Sequence, residues 1–262
     1  MYYGDLKIIE DNYDTGMKYL TYLKTKINEE GFINHGLGDW GNPENILCRE
    51  NIETAFLYAD AITLKKFAKL LNIKQDEKEL DAFAIEIREN YNQKLLVYNP
   101  DTNLYCYKAW DHPKQIKMSQ ACEALPLFWG MVPNDYLQDV IESFRLTLLE
   151  KEAFVAGEIG LPYIIQCASE YDMDDLIASY ITKESHPSYY AFILDSETTL
   201  GEYWENNPRS HCHDMMGHII EWYYRGIGGI GILKPGFQEI EIRPYLPESI
   251  NDVRSLTIHC LE

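Results

Sequence analysis

Positive charge is scarce in this chain. Lys and Arg total 23 against 42 Asp and Glu, giving a formal net charge of −19 at pH 7. Phosphate backbones are held by stripes of Lys and Arg, so this balance excludes a nucleic-acid partner. It equally opposes docking on an anionic membrane surface. Long apolar runs are missing too, since none approaches the roughly 20 residues of a spanning helix. No charged stretch leads into an apolar core near the start, so no signal peptide is expected. Asn-x-Ser/Thr sequons are absent, and the six cysteines (Cys48, Cys106, Cys122, Cys167, Cys212, Cys260) include no Cys-x-x-Cys pair. Thiols scattered in this way, several inside apolar helical patterns, read as reduced cysteines of a cytoplasmic protein.

What is present is enough to fold. The 262 residues are 46% hydrophobic and 13% aromatic, with 20 Tyr, which rules out a disordered chain. Helical period dominates. Ile52, Ala55, Phe56, Ala59, Ile62, Phe67 and Leu70 fall on one face of 52–71. Leu80, Phe83, Ala84, Ile87, Tyr91 and Leu95 do so in 80–96, and Leu137, Val140, Ile141, Phe144 and Leu148 in 137–149. Segments 5–27, 118–130, 160–182 and 211–225 follow less cleanly. Pro133-Asn134-Asp135 and Asp76 read as helix starts. From Gln238 to Arg243 the period changes to two, with Ile240 and Ile242 opposite Glu239 and Glu241. A second strand is expected at 253–260. The pattern is about nine helices followed by the start of a β segment. Loops at 36–44, 105–113, 156–163, 185–190 and 195–214 carry most of the Gly, Trp, His and carboxylates. Helix pairs with functional loops gathered at one end suggest an α/α toroid around a cavity.

Gly226-Ile227-Gly228-Gly229-Ile230-Gly231 fits the spacing of a dinucleotide loop, but such a loop needs a strand before it and a helix after it. Here a helical pattern precedes it and Lys234-Pro235-Gly236 follows, so a glycine-rich helix exit is the better reading. His211, Cys212, His213, Asp214 and His218 contain metal-binding residue types, yet on a helix only Asp214 and His218 share a face. No metal and no cofactor is expected, and this segment reads as a helix cap that points one imidazole into a pocket. Gly38-Asp39-Trp40 and Glu202-Tyr203-Trp204-Glu205 set aromatic rings beside carboxylates. That is sugar-site chemistry, in which ring faces pack on C–H surfaces and carboxylates take hydroxyls or move protons.

Taken in order, the motifs resemble a known family. Gly38-Asp39-Trp40 is followed by Ser119 to Leu125 with Gly130-Met131-Val132-Pro133. Gly157 to Tyr163 and His186-Pro187-Ser188-Tyr189 come next. Glu197-Thr198-Thr199-Leu200-Gly201-Glu202-Tyr203-Trp204 then leads to Ser210-His211-Cys212-His213, Gly217 and Trp222 to Arg225. This order is similar to the catalytic domain of the α-L-rhamnosidases of glycoside hydrolase family 78. The resemblance implies a mainly α fold, an incomplete (α/α)6 toroid over 1–232 with the start of a C-terminal β-sandwich over 233–262. It implies hydrolysis of terminal α-L-rhamnosides with inversion, Glu202 being the general base. His213 would contact the sugar, with Asp39, Trp40 and Trp204 also lining the pocket.

Gly201 replaces the family's Trp before the base, and Cys212 replaces its Asn. The family's acid-bearing segment lies before the Gly-Asp-Trp loop, and this chain starts after it. Glu158 is therefore nominated as the second catalytic carboxylate, with Asp39 behind it. A ring short of hairpins would expose apolar stripes, which implies a homodimer or a complementing N-terminal polypeptide. The competing reading is a non-catalytic, carbohydrate-binding or scaffold remnant of such an enzyme.

Overall fold

The structure, a computed structural model, describes residues 3–205 and 209–247. It divides into two compact units: Leu6–Cys167, and Met1–Asp5 with Ala168–Glu262. The sequence-based boundary at 232/233 falls elsewhere, inside a strand described below.

The first unit is built on helices α1 (Lys7–Lys24), α2 (Arg49–Leu70), α3 (Lys74–Leu95), α4 (Gln120–Phe128) and α5 (Leu137–Lys151), and α6 (Leu161–Glu170) begins in it. α2 packs on α1, α3 and α4. Its burial therefore goes round the helix instead of along one stripe. Asn51, Thr54, Leu57, Ala61, Leu64 and Ala68 are buried beside the expected Ile52, Ala55 and Ala59, whereas Leu70 is exposed. α3 and α5 keep their single stripes: Leu80, Ala84, Ile87, Tyr91 and Leu95 on one, Val140, Phe144 and Leu148 on the other. Each such large side chain contributes about 1.5–3 kcal/mol when fully buried. Phe83, at the stripe's margin, lies under the Lys24 ammonium at 4.1 Å.

Asp76 lies in the first turn of α3 but does not cap it; its carboxylate accepts the Tyr13 hydroxyl at 2.9 Å. Pro133 does open a helical segment, a short 3-10 turn over Asn134–Tyr136 that runs into α5. α4 is capped by Ser119, whose oxygen accepts the Cys122 N–H at 3.1 Å.

A hairpin not expected from periodicity separates α3 from α4. β1 (Leu96–Asn99) pairs antiparallel with β2 (Leu104–Tyr107). Asn99-Pro100-Asp101-Thr102-Asn103 makes the turn, with Asn99 Oδ1 accepting the Asp101 N–H at 3.0 Å and Asn103 at a φ of 59°.

In the second unit the expected helix over 160–182 is interrupted: α6 ends at Glu170 and α7 spans Asp174–Ile181. Asp174 stays with that break, accepting Ser169 Oγ–H at 2.7 Å and the Trp222 indole N–H at 2.6 Å. α8 (Tyr189–Leu194) is capped by Ser188. The expected helix over 211–225 resolves into a 3-10 turn at Asp214–Met216, one α turn, α9 (Ile219–Trp222), and a π turn at Tyr223–Ile227.

β3 (Ile230–Lys234) follows and pairs antiparallel with β4 (Glu239–Ile242). The stretch read as a glycine-rich helix exit thus supplies the partner strand, and the order helix–glycines–strand is the reverse of a dinucleotide loop. β4 keeps its alternation, but both of its faces are exposed. The strand expected at 253–260 lies outside the described residues. No described helix is long and apolar enough to cross a membrane.

Candidate functional site

In the first unit, Asp39 ties two loops together. Its Oδ1 accepts the Gly160 N–H at 2.8 Å; its Oδ2 accepts the Gly157 N–H at 2.8 Å and Asn42 Nδ2–H at 2.9 Å. The loops also share a backbone bond from the Glu158 N–H to the Trp40 carbonyl, 2.8 Å. This close approach requires glycine at 157, where a Cβ would sit 2.1 Å from the Trp40 oxygen. Gly38 turns the chain at a φ of +64°.

Asp39 is 0% exposed. Burial pushes its carboxyl above the ordinary range, against the pull of the Asn42, Gly157 and Gly160 hydrogen bonds. A carboxylate so enclosed and so hydrogen-bonded positions its loops. Trp40 is half-buried and Glu158 is 7% exposed. The clamp fixes the backbone from which both side chains leave.

The second unit holds the other set. Segments 200–204 and 209–213 run side by side: the Glu202 N–H donates to the Ser210 carbonyl at 3.0 Å, and the His213 N–H to the Leu200 carbonyl at 2.9 Å. This ladder brings Glu202 and His213 onto neighbouring strands of one loop. The Glu202 side chain is 16% exposed, with Oε1 3.7 Å from Arg209 Nη1. Arg209 in turn donates to the Tyr203 hydroxyl at 3.2 Å and covers that ring.

Beside Glu202 lies a small hollow of about 10 Å³, lined by Phe192, Glu197, Gly201, Glu205 and His211 among others. Glu197 Oε2 pairs with His211 Nδ1 at 3.2 Å. Sequence reading passed over both residues and chose His213, which is half-buried. The signal available was the hydrogen-bonding complementarity of Glu197 and His211 in two adjoining motifs.

Trp204 has a structural place. It is 3% exposed, edge-on to Tyr189 at 5.3 Å and stacked on Phe192 at 6.4 Å, so its ring plugs the unit instead of offering a face to a ligand. Trp40 belongs to the first unit.

Five cysteines are described, all free, with Cys48, Cys106, Cys122 and Cys167 buried and Cys212 exposed. Among the described residues no group of three or more His, Cys, Asp or Glu is arranged to hold a metal ion.

Comparison with known proteins agrees with this architecture. A family model described as the bacterial alpha-L-rhamnosidase 6 hairpin glycosidase domain matches residues 1–227. An alpha-L-rhamnosidase of Formosa agariphila is 26% identical over 276 residues, which is 97% of this chain and 28% of that protein. One of Alteromonas sp. (strain LOR) is 24% identical, covering 94% of this chain and 28% of the relative. The chain therefore spans little more than a quarter of these relatives' length.

Among solved structures, the alpha-L-rhamnosidase from Dictyoglumus thermophilum superposes with a TM-score of 0.84 at 28% identity, over 94% of this chain and 28% of that one. The Streptomyces avermitilis alpha-L-rhamnosidase complexed with L-rhamnose gives 0.78 at 20% identity, over 94% and 24%, a likeness of fold. The mainly α fold, with the beginning of a sheet at its C-terminal end, is that of these solved structures. The chain belongs to the bacterial α-L-rhamnosidase six-hairpin glycosidase domain family.

Proposed function

We propose that this chain carries the base side of an inverting glycosidase acting on terminal α-L-rhamnosides. The observation that carries the reading is the placement of Glu202: a partly exposed carboxylate, held on a paired loop, at the edge of a hollow lined by ionisable groups. In an inverting reaction one carboxyl group protonates the leaving oxygen, and a second takes a proton from the attacking water. Glu202 is assigned the second role and His213 a sugar hydroxyl. Trp40 is assigned the sugar's C–H face. Glu158 is assigned the acid role.

A cytoplasmic setting is proposed with it, supported by the free thiols. A homodimer, or a complementing polypeptide, is proposed on the apolar side chains left open along α1, where Ile8 is 69% exposed and Tyr19 55%. Sedimentation giving a monomer at micromolar concentration would remove that part.

Hydrolysis of a panel of aryl glycosides tests the main reading. Turnover of the α-L-rhamnoside, abolished by Glu202→Gln while L-rhamnose still binds, is the expected result. Unchanged turnover in Glu202→Gln removes Glu202 from the mechanism. L-rhamnose binding without turnover in the wild type supports instead a non-catalytic remnant.

A further inference from the structure

The hollow beside Glu202 is too small for a sugar. Its volume of about 10 Å³ for the centre of a water-sized sphere corresponds to a single water molecule. Its lining supplies what one water needs, two to four polar partners, from Glu197, Glu202, Glu205 and His211. We propose that this hollow is the seat of the water consumed in hydrolysis, and that the Glu197–His211 pair is its positioning device. The inference rests on the reading of Glu202 as the base and adds to it a second pair of residues.

The chemistry follows from the contacts. Glu197 holds His211 through Nδ1 at 3.2 Å, which fixes the ring and leaves Nε2 as the nitrogen that can meet a water. With Nδ1–H donated to Glu197, the neutral ring accepts at Nε2. A water donating one proton to His211 and the other to Glu202 keeps its lone pairs for attack. The bond that forms joins the water oxygen to the anomeric carbon; the bond that breaks is the glycosidic C–O, whose electron pair leaves with the departing oxygen. The proton released by the water goes to Glu202. Gly201 contributes no side chain to the lining, although a Cβ there would meet only ordinary contacts, 3.7 Å to Phe192 and 3.7 Å to the Ser210 carbonyl. Glycine at this position leaves the seat open without being forced by backbone strain.

The test uses 2,4-dinitrophenyl α-L-rhamnoside, whose leaving group departs without a proton, so the base side is read alone. Glu197→Gln and His211→Ala are expected to lower kcat roughly 10–100-fold with KM unchanged, the signature of a misplaced reactant. Glu197→Asp is expected to recover part of the loss. A fall in L-rhamnose affinity with kcat unchanged marks a merely structural role and overturns the proposal. Unchanged kcat in both variants, with Glu202→Gln inactive, overturns it while leaving Glu202 as the base. Full turnover in Glu202→Gln overturns the underlying reading instead. Where the chain turns nothing over, a crystal structure at better than about 1.5 Å decides. A water within hydrogen-bond reach of both Glu202 and His211 supports the seat, and a hollow without one overturns it.

Discussion

Asp39 and Glu202 come from motifs of the same kind, a carboxylate next to an aromatic residue in a helix-connecting loop, yet their surroundings differ. Asp39 is sealed at 0% exposure with three N–H donors on its two oxygens. Glu202 keeps 16% exposure beside an arginine at 3.7 Å and a water-sized hollow. The backbones differ in the same way. Asp39 sits among long helices with continuous apolar stripes, whereas Glu202 sits in a stretch of 3-10, single-turn α and π segments. A buried carboxylate with donors on both oxygens holds structure together; one left at an edge can take a proton. Residue type and motif do not separate these roles, but the donors around each oxygen do.

The contrast has measurable consequences, the first being the largest. Asp39→Ala leaves the Gly157 and Gly160 N–H groups and Asn42 without their acceptor, and is expected to lower unfolding free energy by about 4 kcal/mol. Glu202→Gln is expected to change it by less than about 0.5 kcal/mol. Urea unfolding of the two variants side by side checks the difference, and equal losses would break the comparison.

Glu123 extends the contrast to a carboxyl group that is buried but half-satisfied. Its Oε1 accepts Ser143 Oγ–H at 2.9 Å and the Tyr107 N–H at 3.2 Å, while Oε2 has no partner among the described residues. Burial pushes its pKa up to about 8, those two hydrogen bonds notwithstanding. Burial, with the Glu123 carboxylate adding to it, pushes the Cys106 thiol up to about 12. Because the folded value lies above the ordinary 4.5, the folded state holds the extra proton between the two. The associated stability is complete below about pH 4.5 and is lost as the pH rises through about 8, at up to about 1.4 kcal/mol per pH unit. Glu123→Gln should flatten that slope, and unfolding midpoints from pH 5 to 9 would reveal a slope that persists.

The two tryptophans give a smaller effect of the same kind. Trp204→Phe, inside a ring cluster, is expected to cost about 1–2 kcal/mol, and Trp40→Phe, half-buried, under about 0.5 kcal/mol. Thermal unfolding orders them. The reverse order would return Trp204 to the set of sugar platforms.

Much of the helical frame was legible because one-sided burial writes a period of three to four into the sequence. The stripes of α3 and α5 were read nearly residue by residue. α2 was read as a helix but not as a central one, since a helix packed on several neighbours has no single face to display. The β1–β2 hairpin escaped because its strands are short and directly follow a strong helical stripe; the Asn-Pro-Asp-Thr-Asn turn was the overlooked sign. The Gly-rich run concealed β3 for a related reason, as glycine carries no pattern of its own.

In the site, the resemblance pointed to Glu202 and His213, and the pairing of their segments by the Glu202–Ser210 and His213–Leu200 backbone bonds was not legible in the motifs. What sequence does not carry is lone-pair occupancy. The resemblance names Asp39 and Trp204 as pocket residues, and only the folded chain shows the donors and rings packed on them. The resemblance pointed to His213 and not to His211, whose Glu197 contact across 14 positions needed the loop to be folded.

The most direct measurement is the anomeric form of the first sugar released from an aryl α-L-rhamnoside, followed by proton NMR before mutarotation. Water activated by Glu202 attacks the face opposite the leaving group, so the account predicts β-L-rhamnose first. Release of the α anomer first, or no release at all, would contradict it.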